Sequence, residues 1–311
     1  MLPRLERPTT GRRLEDRMTD RIRVLLDTLT LQDTGARTSE DIFTGTSHSM
    51  PYGRVFGGQV MAQAVVAGQR TVEADRPIHS VHGYFVRPGD VELPITFSVE
   101  RIHDGRSFST RRVQAYQHGL PIMSMISSYQ DIDPGPSSQR SMPTGLPAPE
   151  DLPSSDDLLA PYAGHPQARA VIARPFDIRH VEGPVYLPDR ERPRRGKQHV
   201  WIRAKDALPD DDALHRAALA YLSDYAMLEP IVRMHGAAWT TEGLRAASLD
   251  HAVWWHRPAR VDGWLLLELE TISSGGGRGL ASGFVYAPDG THVATIAQEG
   301  MVRVPMDAAE Q

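Results

Sequence analysis

The feature of this sequence that most constrains its fold is an internal repeat, in which the second half of the chain follows the first at a nearly constant offset. The segment YFVRP at 84–88 corresponds to WWHRP at 254–258, which lies 170 positions later. At the same offset Glu100 corresponds to Glu270, and one inserted residue keeps the later positions aligned. A self-match of this length predicts two structural units in tandem.

Each repeated unit has the pattern of one apolar helix followed by strands. In the first unit, the helical spacing of apolar residues begins near the pair Gly57-Gly58 and continues to Val72. Four strand-like runs separated by turn signals follow it: Ile78–Arg87, Pro94–Asp104, Phe108–His118 and Leu120–Gln130. An apolar helix must be enclosed, and a curved antiparallel sheet does this. Two such sheets side by side would form one continuous sheet with two helices against it.

The corresponding helix of the second unit, predicted over 212–228, carries an acidic residue on its apolar face. Leu214, Tyr221 and Leu228 share one helical stripe, and Asp224 lies on the same stripe. A carboxylate on a buried face is costly unless it is paired or takes part in chemistry. Asp224 is therefore either a catalytic candidate or a structural residue at the edge of the core, held by a backbone N–H.

The composition excludes several classes of function. Among the 311 residues there is no cysteine, which removes disulfides, thiolate catalysis and cysteine-ligated metal sites. The formal net charge of −5 gives no basic field, so no nucleic-acid partner is expected. No apolar run approaches the ~18 residues of a membrane span. The three-glycine dinucleotide fingerprint and the His-Glu-x-x-His zinc motif are both missing, so we expect no cofactor and no metal.

The two ends of the sequence show no targeting signal. Residues 1–23 combine arginines with four acidic residues and have no apolar segment, unlike a signal or transit peptide. Residues 308–311 do not form the Ser-Lys-Leu peroxisomal signal. We therefore expect a cytoplasmic protein.

Seven strings across both units resemble those of acyl-CoA thioesterase II. They are VFGGQV at 55–60, HSVHGYFVRPGD at 79–90, RPFDIR at 174–179, VWIRA at 200–204, LSDYAMLEP at 222–230, LDHAVWWHRP at 249–258 and QEGMVR at 298–303. The resemblance covers about residues 22–305. It implies an α+β tandem (double) hotdog fold, with two antiparallel sheets each wrapped on a central helix. It also implies hydrolysis of fatty acyl-CoA to free fatty acid and CoA.

The resemblance and the composition together divide the chain into four parts. We expect a mobile N-terminal arm at 1–21, a first hotdog domain at 22–131 and a second hotdog domain at 176–306. Residues 132–175 between them are rich in proline and serine, which is typical of a linker. Brief helical turns are expected within this linker at Leu158–Tyr162 and Ala168–Ile172.

The resemblance implies a catalytic group of three residues, all in the second unit. The helix aspartate of the family falls on Asp224, the hydroxyl residue before the Asp-His pair falls on Ser248, and the glutamine of the Gln-Glu-Gly motif falls on Gln298. Ser248 departs from many members, which have threonine there. Serine keeps the hydroxyl but lacks the methyl group that stiffens χ1.

Thioester hydrolysis gives these residue types a chemical purpose independent of the resemblance. A carboxylate can accept the proton of an attacking water, and a hydroxyl and a carboxamide can hold that water by hydrogen bonds. Gln298 lies on the same strand face as Ile296, so it meets Asp224 if that face looks at the helix. Backbone N–H groups near Gly57-Gly58 are candidate donors to the developing oxyanion.

Other constellations in the sequence have weaker support. A Ser-His-Asp hydrolase lacks its Gly-x-Ser-x-Gly elbow. A zinc site has no helical histidine pair, so a structural role is favoured for the histidines that flank the two Arg-Pro motifs: His79, His82, His251 and His256. The basic run at 190–197 either grips the phosphates of CoA or is an ordinary solvated loop.

Two alternative functions and the state of assembly remain open at this stage. An enoyl-CoA hydratase of hotdog fold would have an Asn-Pro turn, which this sequence lacks. A non-catalytic acyl-CoA binding protein would not need Asp224 on a buried stripe. Since sheet edges are commonly covered by oligomerisation, we expect a homo-oligomer, either a dimer or a tetramer.

Overall fold

The computed structural model describes residues 19–37, 39–48 and 53–305. Residues 1–18 of the predicted N-terminal arm lie outside these ranges. The helices are α1 (Asp20–Leu29), α2 (Gly57–Gln69), α3 (Ser155–Leu159), α4 (Pro166–Ile172), α5 (Asp212–Ser223) and α6 (Glu229–Met234). The strands are β1 (Gln32–Arg37), β2 (Asp41–Gly45), β3 (Ile78–Phe85), β4 (Ile95–Asp104), β5 (Phe108–Gln117), β6 (Leu120–Gln130), β7 (Phe176–His180), β8 (Lys197–Ala204), β9 (Arg245–Ser248), β10 (Asp250–Trp255), β11 (Leu265–Gly275), β12 (Arg278–Tyr286) and β13 (His292–Arg303).

The strands of the described ranges form one antiparallel sheet. Its order is β1-β2-β4-β5-β6-β3-β10-β13-β12-β11-β8-β7, and β9 pairs with one end of β13. The two halves of the chain meet at β3 and β10, where Val81 lies opposite Val253. The two predicted sheets are therefore joined edge to edge into a single sheet, because β3 and β10 each offer the other a free strand edge. The four predicted strands of the first unit are confirmed within three residues at each end.

The helices α2 and α5 pack against each other and form the centre of the core. Almost every residue of α2 is buried, and α2 also packs on the strands β3 to β6. Its sequence is apolar on all sides and carries no charged residue in its first or last turn. A helix of that kind is stable only when it is enclosed, and most of its stability comes from this packing.

The prediction that one helix runs from 212 to 228 is wrong at its C-terminal end. The helix α5 ends at Ser223, Asp224 caps it, and the chain turns before α6 begins at Glu229. Pro230 explains the break, since it has no N–H to donate to the carbonyl group of Ala226 and its ring would collide with that group. Asp224 therefore sits at the end of a helix and not within its stripe.

The segment predicted to be a linker contains helices that pack on the second half of the chain. The turns expected at Leu158–Tyr162 and Ala168–Ile172 correspond to α3 with the 3-10 turn that follows it, and to α4. Leu159 and Ala168 are buried in a small cluster with Tyr186. The Lys205 ammonium lies 2.5 Å from Asp156. Much of the segment from α3 onward therefore belongs structurally to the second half. No helix within the described ranges has the length and apolar character to cross a membrane.

Candidate active site

Three residues that the sequence places far apart come together at the C-terminal end of α5. The Gln298 Nε2 donates to Asp224 Oδ1 at 2.6 Å, and the Ser248 hydroxyl donates to the same oxygen at 3.2 Å. The Gln298 Nε2 also lies 2.5 Å from Ser248 Oγ. Asp224, Ser248 and Gln298, predicted from separate motifs, therefore form one connected group.

A bulge in the strand aims Ser248 at this group. Ser248 pairs with Gly300, whereas Ala252 pairs with Ala297, so four steps on β9 and β10 oppose three steps on β13. The extra residue reverses the alternation of side chains, and Ser248 points to the same face as His251 although their spacing is odd. A regular strand would have directed the serine hydroxyl away from Asp224.

The glycine pair at the start of α2 is shaped around the same carboxylate. The Gly58 N–H donates to Asp224 Oδ2 at 2.7 Å. A Cβ atom on Gly57 would lie 2.8 Å from that oxygen, and a Cβ atom on Gly58 would collide with the Tyr221 carbonyl oxygen. Only glycine permits this approach. The Gly58 N–H is therefore occupied by Asp224 in this structure, which corrects its expected place among the free oxyanion donors.

The environment of Asp224 shifts its protonation toward neutral pH. Burial raises the pKa of Asp224 to about 6, against the hydrogen bonds from Gln298, Gly58 and Ser248, which lower it. A carboxyl group with this pKa is mostly ionised at pH 7, and its basicity is close to that expected of an efficient general base at that pH.

An arginine and an aromatic cluster lie beside the carboxylate, and no role for them was predicted from the sequence. The guanidinium of Arg174 lies over the ring of Tyr225 at 4.2 Å, and Phe56 stacks on the same ring at 4.6 Å. The positive charge of Arg174 also lowers the pKa of Asp224. The only signal was the string RPFDIR at 174–179, which carried the family resemblance without a function.

A cleft of about 360 Å³ opens next to the group and is formed by both halves of the chain. Ser248 and Gly57 are part of its wall, together with apolar side chains that include Phe85. Arg54 and Arg87 are the basic residues of its lining. None of the run at 190–197 belongs to that lining, so the basic residues that line this cleft come from the first half of the chain.

The four histidines considered as metal ligands are spread over separate contacts. His79 bonds Ser128, His251 bonds Ser223 and His256 bonds Thr295, while the ring of His82 meets Trp254 edge to face. Within residues 19–37, 39–48 and 53–305, no three or more His, Asp or Glu side chains cluster as metal ligands.

Two family models match the chain. The model of the acyl-CoA thioesterase N-terminal domain matches residues 46–130, and that of the acyl-CoA thioesterase C-terminal domain matches residues 148–302. Among curated proteins, acyl-coenzyme A thioesterase 8 of Homo sapiens is 39% identical over 284 residues, covering 87% of each chain. Acyl-CoA thioesterase 2 of Haemophilus influenzae is 35% identical, covering 84% of this chain and 92% of its own.

Solved structures agree with these matches. An acyl-CoA thioesterase II from Mycobacterium marinum is 36% identical with a TM-score of 0.71, covering 91% of this chain and 98% of its own. A hotdog-fold protein from Alicyclobacillus acidocaldarius has a TM-score of 0.73 at 17% identity, covering 91% of this chain and 99% of its own, and shows the fold alone. The chain has the hotdog fold, and it belongs to the acyl-CoA thioesterase II family of thioester hydrolases.

Proposed function

We propose that this chain hydrolyses fatty acyl-CoA to free fatty acid and CoA, with a water molecule activated between Asp224, Ser248 and Gln298. The observation that carries the proposal is the convergence of the Gln298 and Ser248 side chains on the half-buried carboxylate of Asp224, with Ser248 in the wall of a cleft. We further propose that the reaction uses no metal and no organic cofactor.

The proposed reaction has two steps, and Asp224 carries the proton from the first to the second. Asp224 takes a proton from the water as its oxygen attacks the carbonyl carbon of the thioester. The tetrahedral intermediate then collapses, the carbon–sulfur bond breaks, and the proton held by Asp224 passes to the CoA thiolate. The products are a carboxylic acid and a thiol, and Asp224 returns to its ionised form.

Ser248 and Gln298 position the water and the base. The Ser248 hydroxyl can donate to Asp224 while its oxygen accepts from a water or from Gln298. The positive end of the α2 helix dipole, at Gly57 in the cleft wall, faces the region where the oxyanion would form.

The cleft supports a substrate that is both anionic and apolar. Phosphate groups are bound well by arginine, and Arg54 and Arg87 are exposed at the cleft. Val55, Phe85 and Ile122 supply apolar surface in the same wall. CoA esters combine phosphates with a hydrocarbon chain, so this lining fits their chemistry.

The continuous sheet and its two central helices support a tandem hotdog arrangement. One unit contains α2 with β1 to β6, and the other contains α5 with β7 to β13. We propose the domain limits 22–131 and 176–306, with α3 and α4 of the 132–175 segment packed on the second unit. The strands β1 and β7 end the sheet, so a homo-oligomer that covers these edges is proposed, either a dimer or a tetramer in the cytoplasm.

Release of CoA thiol tests the proposed function directly. Palmitoyl-CoA is incubated with the protein and a thiol reagent in the presence of EDTA, and both free thiol and free acid are measured. We expect equal amounts of the two products. Binding without thiol release would indicate an acyl-CoA binding protein, and loss of activity in EDTA would contradict the cofactor-free mechanism. Hydration of an enoyl-CoA in a parallel incubation, without thiol release, would indicate a hydratase.

A further inference from the structure

A buried histidine that the proposed mechanism does not use lies next to the catalytic group. His251 on β10 is 1% exposed and points to the same side of the sheet as Gln298. Its Nε2 lies 2.7 Å from the hydroxyl of Ser223, the last residue of α5. Its Nδ1 is buried and has no hydrogen-bond partner in the described part of the chain. A buried ring nitrogen without a partner is costly and needs an explanation.

Gln298 has a buried acceptor atom that lacks a donor in the ranges that the structure describes. Its Nε2 faces the carboxylate of Asp224, and because a carboxylate only accepts, the carboxamide orientation is fixed by chemistry. The other end of the group, Oε1, therefore points away from Asp224. It is buried and has no donor among the described residues. The acceptor requires a donor from within the protein.

The fold places these two unpaired atoms beside each other. Continuing the register from the pair Ala252 and Ala297 by one residue puts His251 directly opposite Gln298. In the first half of the chain the corresponding pair, Val81 and Ser127, is in direct register. Side chains on the same face at such positions are close neighbours. The Gln298 carboxamide also raises the pKa of His251, the effect expected of an acceptor that faces a ring N–H.

We propose that His251 is a positioning residue, whose Nδ1–H donates to Gln298 Oε1 and so holds the Gln298 Nε2 on Asp224 and Ser248. The inference rests on the proposed function, since it gives His251 a role only through Gln298.

The same network fixes the tautomer of His251. Burial lowers the pKa of His251 to about 4, so the ring is neutral at pH 7 and carries one proton. If that proton is on Nδ1, the Ser223 hydroxyl donates to Nε2, at 2.7 Å, in preference to the Ala220 carbonyl oxygen, which lies 3.0 Å from it. Every buried polar atom of the chain Ser223–His251–Gln298–Asp224 then has a partner. The other tautomer would place two acceptors, Nδ1 and Oε1, against each other.

A double-mutant cycle separates positioning from general stabilisation. His251→Leu is measured in the natural protein and in a Gln298→Ala background, with kcat and KM for palmitoyl-CoA. We expect about a tenfold loss of kcat with little change in KM in the first case, the effect of one lost hydrogen bond, and no further loss in the second. An equal loss in both backgrounds, or full kcat in folded His251→Leu, would overturn the proposal.

Two amide variants test which nitrogen matters. The side-chain amide of His251→Asn lies near the position of Nδ1, and that of His251→Gln lies near the position of Nε2. We expect His251→Asn to retain most of kcat and His251→Gln to behave like His251→Leu. The reverse order would refute the assignment of Nδ1, and both variants keep a polar group that satisfies the buried site if leucine does not fold.

The tautomer can be measured without any substitution. In ¹⁵N-labelled protein, the nitrogen chemical shifts of His251 at pH 7 should show a proton on Nδ1 and none on Nε2. A proton on Nε2 would refute the proposal. A failure of the proposed function gives a different result, because natural protein would then release no thiol, or Gln298→Ala would leave kcat unchanged.

Discussion

The two halves of the molecule offer the same backbone positions at their sheets but fill them with different chemistry. In the second half, Gln298 on β13 lies opposite Ala281 on β12. In the first half, the corresponding pair is Ser127 on β6 and Arg111 on β5. The small alanine leaves room for the Gln298 side chain and its neighbours, whereas the arginine occupies that room.

The bulge that orients Ser248 also occurs in the first half. The register of β3 against β6 shifts between Ile78 and Ser80, just as it shifts around Ser248 in the second half. Ile78 therefore takes the place of Ser248, and its side chain is fully buried. Both halves have the bulge, so the bulge alone does not create a site.

In the first half, the buried arginine at this position bonds to other groups of the protein. Arg111 is 1% exposed, and its guanidinium bonds Thr71, the carbonyl oxygen of His103 and the carboxylate of Asp104. The protein supplies acceptors for all five N–H groups of Arg111, so the charge is compensated and no donor is left for a substrate. In contrast, Asp224 lies beside a cleft. The repeat therefore specifies the scaffold, while single side chains distinguish the half that holds the proposed site.

The largest expected effect comes from removing the proposed base, Asp224, which lies in the second half. Asp224→Asn keeps the size of the side chain but cannot take a proton, so kcat should fall by roughly 10²–10⁴. Asp212→Asn, at the other end of the same helix, is the matched control and should leave kcat unchanged. A melting transition close to that of the natural protein must be confirmed for both variants. A folded Asp224→Asn enzyme with nearly full activity would remove Asp224 from the mechanism.

The next largest effect is expected from a variant that makes the second half resemble the first. Gln298→Ser copies Ser127 and removes the donor to Asp224, and we expect a loss of about 10- to 100-fold in kcat, the usual effect of losing a hydrogen bond to a charged group. Ser127→Ala is the control in the first half and should not change kcat. Loss of activity in the control would mean that this sheet position matters for the chemistry in both halves.

The third prediction separates stability from catalysis at the arginine of the first half. Arg111→Leu leaves buried acceptors unpaired, so we expect the free energy of unfolding to fall by about 2–3 kcal/mol. Urea denaturation measures this change, and kcat per folded molecule should stay the same. Arg112→Leu, the neighbour that faces the other side of β5, should cost less than about 0.5 kcal/mol. Equal costs for both variants would contradict a specific role for Arg111.

The fourth prediction concerns pH and again applies to one half only. Because the base must be ionised, kcat/KM should fall tenfold per unit of pH below about 6, the raised pKa of Asp224. The same shift affects stability with the opposite sign. The native state binds this proton more tightly than the unfolded chain, so its contribution to stability is lost as pH rises from about 4 to 6. An activity profile that is flat down to pH 5 would contradict the shift.

The repeat and the strands of the first unit could be predicted from the sequence, because hydrophobic periodicity is a property of the chain itself. The three candidate site residues came from the family motifs, and the fold brings them together. It did not predict the bulge at Leu249, which depends on the register of β13 against two strands at once. Arg111 was also missed, although it alternates with Val113 and Ala115 on the inner face of β5. A charged residue in that row is a recognisable signal, but its partners come from other elements and are visible only in the fold.

The smallest effect is expected at Ser248. Two variants of the same shape test whether its hydroxyl is the feature that distinguishes it from Ile78. Ser248→Thr and Ser248→Val both add a branch at Cβ, as Ile78 has in the first half, but only threonine keeps the hydroxyl that donates to Asp224. Branched side chains suit a strand and hold χ1 firmly, so threonine should stay within about threefold of the natural kcat. Valine should lose about tenfold, since the donor is gone while the volume is matched. If threonine were as impaired as valine, the added branch and not the hydroxyl would control the rate, and Ser248 would be a spacer in the cleft wall instead of a group that holds water.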